Sequence, residues 1–521
     1  MVLDTLRRAT QPSGYPVDNP TQSFWLENPP CPELMNLKMD VPYNRADTVI
    51  IGSGMTAAAV AFSIMREHAR NNQEAPTVVV LEARGLSSGA TGRHDGSINS
   101  APHELFHQLI LADHEPEQAA DIVRFAFEGP WAIKQLCDSK GWDEAQCHEG
   151  DAVEFYLTEE DRKFALEKVL NLRQYVPEIR TRMWTAEEAQ HEFGVSRRVK
   201  GALTYADGKL NPLGFVTCVW KELLEKYHER FYIRTHTPVL SINTPQNWQY
   251  RYEAVTSDGI IRCNNIVHAT NAFATQLVPG LRGKLTGSLG GMSMRILPST
   301  QYLKSDCNRP SWCSIVWGDI FEGANSRAAQ ESEANEEPGK LILGGGQSFS
   351  EGWPANLFGV WDDSQTGAAA LESISKAFPR IFDDPKLDDV SQEHTQSWSG
   401  VVGITGDILP FVGRLNVLQT NRTSEPQSEL IRSSGEYIAA GFSSGGTIWS
   451  WLSGTALGIQ IAGTATDEVE GIPGRPDGAL KKWFPRELCV SSRRLQDVSL
   501  ECVATGLSHD DYICRQGVNS G

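Results

Sequence analysis

The sequence predicts an α/β protein in which one parallel-sheet domain is split along the chain and interleaved with a second, α+β domain. Three observations carry this. ADTVIIGSG closes a β-branched run on glycine, an Ala-rich helical segment follows, and TVVVLEAR (residues 77–84) reads as a second buried strand. Strand, helix and strand within about 40 residues form a βαβ unit, which requires parallel pairing. The chain then turns charged and largely helical from Glu104 to Arg198. Strand, glycine turn and apolar helix return only in YIAAGFSSGGTIWSWLSGTALGIQIAG.

The elements follow in order. Residues 1–45 are Pro-rich and aperiodic, with one apolar cluster at Phe24, Trp25 and Leu26, and read as an extended arm on the body. Residues 46–110, 200–275 and 395–465 are assigned to the split domain, 111–199 and 276–394 to the second domain, and 466–521 to a tail without clear period. FYIRTHTPVLSI, YRYEAVTS, CNNIVHAT, QYLKS and LILGGG are strand-like. EGANSRAAQESEANEEPGK (residues 322–340) and QTNRTSEPQSELIRSS read as solvated surface insertions.

The chain has 521 residues, 40% hydrophobic and 21% charged, with 46 Gly and a net charge of −18. An acidic chain without a basic stripe argues against nucleic-acid binding. No apolar run reaches the roughly 18 residues of a membrane span. The first residues lack the apolar core of a secretory signal, and NSG is not a peroxisomal address, so the expected compartment is the cytosol. Ten Cys without a C-x-x-C pair indicate neither a disulfide framework nor a zinc ribbon.

GSGMTA (Gly52–Ala57) is a G-x-G-x-x-A between a strand and a helix, the context that makes this pattern specific. Gly52 permits the tight turn, Gly54 lets the backbone approach a pyrophosphate, and Ala57 lets the helix pack on the sheet. The helix start at Met55 and Thr56 offers free N–H groups and its positive end to phosphates. Glu82 ends the second strand, followed by Ala83 and Arg84, and is positioned to accept from an adenosine ribose. A carboxylate there repels a 2′-phosphate, which argues against NADP. A discontinuous nucleotide domain suits FAD better than NAD, whose domain normally continues as βαβ units.

Four motifs, IIGSGMTAA, LEARGLSSGATGRHDG, IVHATNAFA (residues 266–274) and the pair WSGVVGITGDILPFVG with AAGFSSGGTIW, carry a family likeness. Over about residues 40–465 the chain resembles FAD-dependent oxidoreductases of the D-amino-acid oxidase/sarcosine oxidase (DAO) type, and looks closest to their large fungal branch. The resemblance implies a Rossmann-type FAD domain beside a mixed-sheet substrate domain. It implies a flavin loop at Gly89, Ala90 and Thr91, with Thr91 and Arg93 as donors, and adenine binding at the backbone of Val239. Ala269, Thr270 and Asn271 match the turn beneath the pyrophosphate. Gly445, Gly446 and Thr447 start an apolar helix whose N–H groups would favour negative charge on a reduced flavin. The implied reaction moves a hydride from the carbon beside a nitrogen to flavin N5, with an amine or amino acid as substrate, an imine as product, and oxygen returning hydrogen peroxide.

The loop that the fungal branch usually continues as G-R-N-G-G-H stands here as Gly92, Arg93, His94, Asp95, Gly96 and Ser97, so a carboxylate replaces glycine beside the expected flavin. His94 and Asp95 are therefore catalytic candidates and equally packed structural neighbours. Arg295 is a candidate for a substrate carboxylate and Gln347 for a substrate-facing amide. Gly344–Gly346 would mark a strand end near the flavin. His268 is expected to be structural. Trp398, Trp449 and Trp451 fit a cavity wall or core.

HELFH (residues 103–107) matches the H-E-x-x-H of zinc peptidases, with His103 and His107 on one face and Glu104 as base. No third ligand follows, so the expectation is no metal and a surface helix starting at Pro102. A flavin-binding relative without activity, an NAD-dependent dehydrogenase and a zinc peptidase stay open as alternatives.

Overall fold

The computed structural model describes residues 2–98, 101–245, 249–296, 312–317, 322–327, 340–345, 357–366, 381, 396–422, 434–443, 445–501 and 503. Two eight-stranded sheets organise them. The first contains β1 (Arg45–Ile51), β2 (Val78–Leu81), β6 (Phe231–Arg234), β7 (Val239–Asn243), β8 (Tyr252–Thr256), β9 (Gly259–His268), β15 (Phe411–Arg414) and β16 (Glu436–Ala440). Its central order is β15-β16-β9-β1-β2-β6, and β16, β9, β1, β2 and β6 pair in parallel. Parallel strands are covered on both faces and so read as continuous apolar runs. All four residues of β2 are buried, as are the last four of β1.

The second sheet contains β3 (His148–Tyr156), β4 (Thr181–Thr185), β5 (Gly201–Lys209), β10 (Leu285–Ile296), β11 (Trp312–Trp317), β12 (Glu322–Arg327), β13 (Lys340–Gly345) and β14 (Gln396–Thr405). Its order is β14-β10-β13-β12-β11-β3-β5-β4, with only β11 and β3 parallel. The α/β class and the mixed second sheet are as the sequence predicts. β5 and β14, which fall within the segments 200–275 and 395–465 assigned to the split domain, pair in the second sheet. Glu322–Arg327, expected in a surface insertion, is strand β12, because β11 and β13 flank it and pair with it on both sides. Such pairing outweighs the low strand propensity of EGANSR. Arg295, the candidate for a substrate carboxylate, lies inside β10 opposite Leu341.

The principal helices are α1 (Val2–Ala9), α2 (Met55–Arg70), α3 (Pro102–Leu111), α4 (Pro116–Lys140), α5 (Glu159–Tyr175), α6 (Pro212–Lys226) and α7 (Gly446–Ile461). The arm thus opens with a helix instead of being extended throughout, and Arg8 of that helix donates to the Phe358 carbonyl at 2.8 Å. Helices α2 and α7 cross closely: a Cβ on Gly454 would lie 2.5 Å from the Thr56 carbonyl, and one on Gly458 2.5 Å from Ser63. The small residues of both helices permit this contact. The described part of the tail is packed too. Arg475 forms a buried ion pair with Glu67 of α2 at 3.1 Å, and Trp483 stacks on Phe125 of α4.

Candidate functional site

The C-terminal ends of β1, β2 and β9 open on one cleft of about 1300 Å³, counted out to the solvent at its mouth. The chain leaves β1 for β2 on one side, and later for β9 on the other, so the cleft sits where strand order reverses, the usual ligand position in open α/β sheets. Its floor is the turn from Ile51 to Thr56. Gly52 has φ +99°, and a Cβ there would stand 2.6 Å from the Ala269 carbonyl. The glycine is required twice, for its dihedral and for its neighbour. Gly54 caps α2 without a side chain, and the Met55 N–H instead donates to Thr91 Oγ1 at 3.0 Å. That bond uses an acceptor site of Thr91 and leaves its hydroxyl proton to donate.

Glu82 is held rigidly at the end of β2. One carboxylate oxygen accepts from the N–H (3.0 Å) and hydroxyl (2.6 Å) of Ser53, the other from the Arg84 N–H at 2.9 Å. The Ser53 hydroxyl also accepts from the Ser87 N–H at 2.7 Å, tying the first turn to the loop that follows. Across the cleft, Asn271 (φ +46°) accepts the Gly441 N–H at 2.9 Å and so joins the turn after β9 to the approach to α7.

Of the residues expected to hold a cofactor, Gly52, Gly54, Met55, Thr56, Glu82, Ala83, Arg84, Gly89, Ala90, Thr91, Val239, Ala269, Thr270, Gly446 and Thr447 line this cleft. Gly445 stands behind them, against the Trp449 indole. Arg93 also lies outside the lining. Its guanidinium donates to Ser88 O, Ser399 O and Thr21, and lies 3.3 Å from Asp363. It fixes the loop from behind, where the sequence reading made it a donor to the ligand. Burial lowers its pKa to about 10, partly offset by Asp363, so it stays charged at neutral pH. Arg84 makes a two-pronged ion pair with Asp363, at 3.0 and 3.1 Å. Asp363, Ser53 and the arm residues Gly14, Tyr15 and Pro16 line the cleft without having been singled out.

At the α7 end, His94 lines the cleft with Nε2 3.4 Å from Thr447 Oγ1. Its Nδ1 lies 3.0 Å from the Gly96 N–H and 3.1 Å from Asp95. Asp95 accepts the Ser97 N–H at 3.0 Å and does not line the cleft, so its carboxylate belongs to the loop's own turn. The side chain of Arg295, and all of Gly346 and Gln347, lie outside the described residues; Gly344 and Gly345 end β13 opposite Met292 and Gly291. Trp398, Trp449 and Trp451 are buried core and do not line the cleft. His268 pairs with Glu436 at 2.6 Å inside the sheet.

The HELFH segment forms the first turns of α3, and its start is buried rather than on the surface. His103 and Glu104 turn inward because both charges find partners there. Lys168 of α5 donates to both Glu104 oxygens at 2.7 and 2.8 Å, and His103 Nε2 lies 3.3 Å from Glu154 of β3. Ligand atoms of His103, Glu104 and Glu154 stand within 4.8 Å of one another, a spacing suited to a cation. Lys168 already supplies positive charge at that point. His107 takes no part and packs its ring edge-on to Phe164.

The cleft fits a bound FAD. Glycine stands where a Cβ would strike backbone, the N-cap of α2 is a glycine that offers no side chain, a carboxylate marks one end, and a second helix start marks the other. No curated protein matches the chain by sequence. Among solved structures it is similar to glycine oxidase from Geobacillus kaustophilus (16% identity, TM-score 0.57, covering 80% of this chain and 94% of that one). L-proline dehydrogenase from P. horikoshii is comparable (18%, 0.58, 85% and 97%). So is L-alpha-glycerophosphate oxidase from Mycoplasma pneumoniae with FAD bound (13%, 0.51, 83% and 98%). The family model described as FAD dependent oxidoreductase matches residues 47–458. That span contains both helix starts and all the sheet ends that build the cleft, and the chain belongs to the DAO family of FAD-dependent oxidoreductases.

Proposed function

We propose that this enzyme oxidises the C–N bond of a small amine or amino acid, with molecular oxygen as acceptor. The observation that carries it is the meeting of the α7 start, the small-residue loop Gly89–Thr91 and His94 at one end of the FAD cleft. FAD, when bound, supplies the hydride acceptor, and the chain supplies position and electrostatics. In this reading Gly52, Gly54, Met55, Thr56 and Thr91 hold the pyrophosphate, with Ala269 and Thr270 beneath it. Glu82 takes the ribose and Val239 the adenine. Gly446 and Thr447 turn backbone N–H groups toward the negative charge that reduction creates, which lowers the barrier because these dipoles are already oriented. His94 Nε2 adds a polar atom beside Thr447.

Glycine oxidase and L-proline dehydrogenase, by name, act on amino acids, which supports the substrate class. We also infer a likeness to the fungal branch of the family from the same four motifs, although Gly92–Ser97 departs from that branch's G-R-N-G-G-H. None of the described helices is long and apolar enough to cross a membrane; the cytosol is our proposal for its compartment. Anaerobic titration of the yellow holoenzyme with amines, N-methyl amino acids and D- and L-amino acids tests the reading. Bleaching by one member, followed by oxygen-dependent recovery with one peroxide per turnover, is the expected result. A panel that leaves the flavin oxidised would instead favour a non-catalytic relative.

A further inference from the structure

Residues 13–25 stand outside the family match, which begins at residue 47, yet they touch several of the segments that wall the cleft. Ser13 donates to the Phe273 carbonyl at 3.1 Å, and the Gly14 N–H to the Gln276 side chain at 3.1 Å, both on the turn after β9. The Tyr15 hydroxyl donates to the Leu240 carbonyl of β7 at 2.9 Å. The Val17 carbonyl accepts from Arg84, and the Thr21 N–H donates to the Asp363 carbonyl at 2.8 Å. Ser23 donates to the Gly92 carbonyl and Trp25 to the His94 carbonyl, each at 2.5 Å. The buried Trp25 anchors this end of the segment. Between the anchors, Gly14, Tyr15 and Pro16 form part of the cleft wall beside Pro238 and Val239.

These contacts have a direction. Almost all end on backbone or loop atoms of segments that themselves line the cleft, so the arm joins walls contributed by distant parts of the chain. The stretch SGYPV carries no charge, which suits a surface facing a nucleoside more than one facing phosphates. Pro16 restricts its backbone, so little freedom is lost on closing.

We propose that residues 13–25 are a strap across the FAD cleft, with Tyr15 covering the adenosine end, so that cofactor exchange requires the arm to lift. The proposal rests on FAD lying with its adenine toward Val239. A ligand that seals beneath a segment and a segment that seals a ligand stabilise each other by linkage. The full-length chain is deflavinated and titrated with FAD, and release is followed by flavin fluorescence. Tyr15→Ala is expected to release FAD at least about tenfold faster, with Tyr15→Phe between it and wild type. Because the alanine variant can lose structure, amide exchange of residues 13–22 in the wild-type chain gives a second reading. Exchange there is expected to slow when FAD binds, which an arm that is merely packed would not do. Equal release rates for wild type and Tyr15→Ala, or identical exchange with and without FAD, would overturn the strap alone. A wild-type chain that takes up no FAD would overturn the cofactor reading and the strap with it.

Discussion

The loop Ser88–Gly96 and the helix that begins at Pro102 are near neighbours in sequence, and both are rich in polar and charged residues. They use them in opposite ways. In the loop, Arg93 and Asp95 are kept behind the wall: Arg93 is committed to Ser88, Ser399 and Thr21, Asp95 caps its own turn, and the residues that line the cleft are Gly89, Ala90, Thr91 and His94. In the helix, His103 and Glu104 are drawn into the interior and neutralised by Glu154 and Lys168. A ligand site needs donors and acceptors that the protein has not already used. HELFH has the residue types of a metal site, but its charges are spent on partners. The loop has less conspicuous residues and an open cleft in front of them.

The strongest way to test the comparison is to unbalance the buried cluster. Lys168→Met removes the ammonium from Glu104, which is almost fully buried. An uncompensated buried charge costs about 3–5 kcal/mol. Urea unfolding should show a loss of that order while the folded fraction keeps its FAD affinity. A variant with unchanged stability, or one that releases FAD, would mean that the cluster is not a closed, purely structural unit.

The next effect falls on the cleft. Gly52→Ala forces a Cβ to 2.6 Å from the Ala269 carbonyl at φ +99°. Strain of about 1–3 kcal/mol is expected. It sits where the pyrophosphate would lie, so FAD affinity should fall by about tenfold or more. Equilibrium titration with FAD measures this, and wild-type affinity would show that the turn tolerates side chains and holds no phosphate.

The two regions also differ in how far sequence discloses them. GSGMTA was legible because the turn, the helix and the strand are contiguous and their periodicities differ. Glu82 followed from its place at the end of β2. Asp363 was invisible: it meets Arg84 across 279 residues and stands outside any regular element. Tyr15 was equally hidden, since SGYPV has no period and its role comes only from what it lies against. EGANSR reads as loop because its strand character is conferred by neighbours on both sides. The inward turn of His103 and Glu104 depended on Lys168, 64 residues beyond Glu104. Local geometry is written locally, whereas burial of charge is decided by partners that only the fold brings close.

The buried cluster should also leave a pH signature. Burial by itself would lower the His103 pKa, but the Glu154 carboxylate more than offsets this and the net direction is upward. Burial would raise Glu154, and His103 reverses that too, holding it below its ordinary value. Stability contributed by His103 is then complete below its ordinary pKa of about 6.5 and is lost as pH rises through the raised value. That from Glu154 is present above its ordinary pKa of about 4.3 and is lost as pH falls through the depressed value. The stability gap between wild type and His103→Gln should therefore be widest between about pH 5 and 6.5 and narrow toward alkaline pH. Urea midpoints across that range measure it. A gap that widened above pH 8 would mean that His103 is buried neutral and that its link to Glu154 contributes nothing.

Asp95→Gly should have the smallest effect, although the residue lies where the family loop normally has glycine, closest to the chemistry. Its carboxylate accepts the Ser97 N–H, lies 3.1 Å from His94 Nδ1 and is not part of the cleft lining. Removing it takes away one local hydrogen bond, about 0.5–1.5 kcal/mol of stability, and puts glycine where φ is not left-handed. FAD affinity should stay within about twofold, because no ligand contact is lost. The flavin absorption maxima should move little, since Asp95 meets the cleft lining only through His94. A shift of those maxima would mean that Asp95 reaches the flavin when it binds, and the loop would then resemble the buried helix more than the open cleft, with a charge placed to be felt.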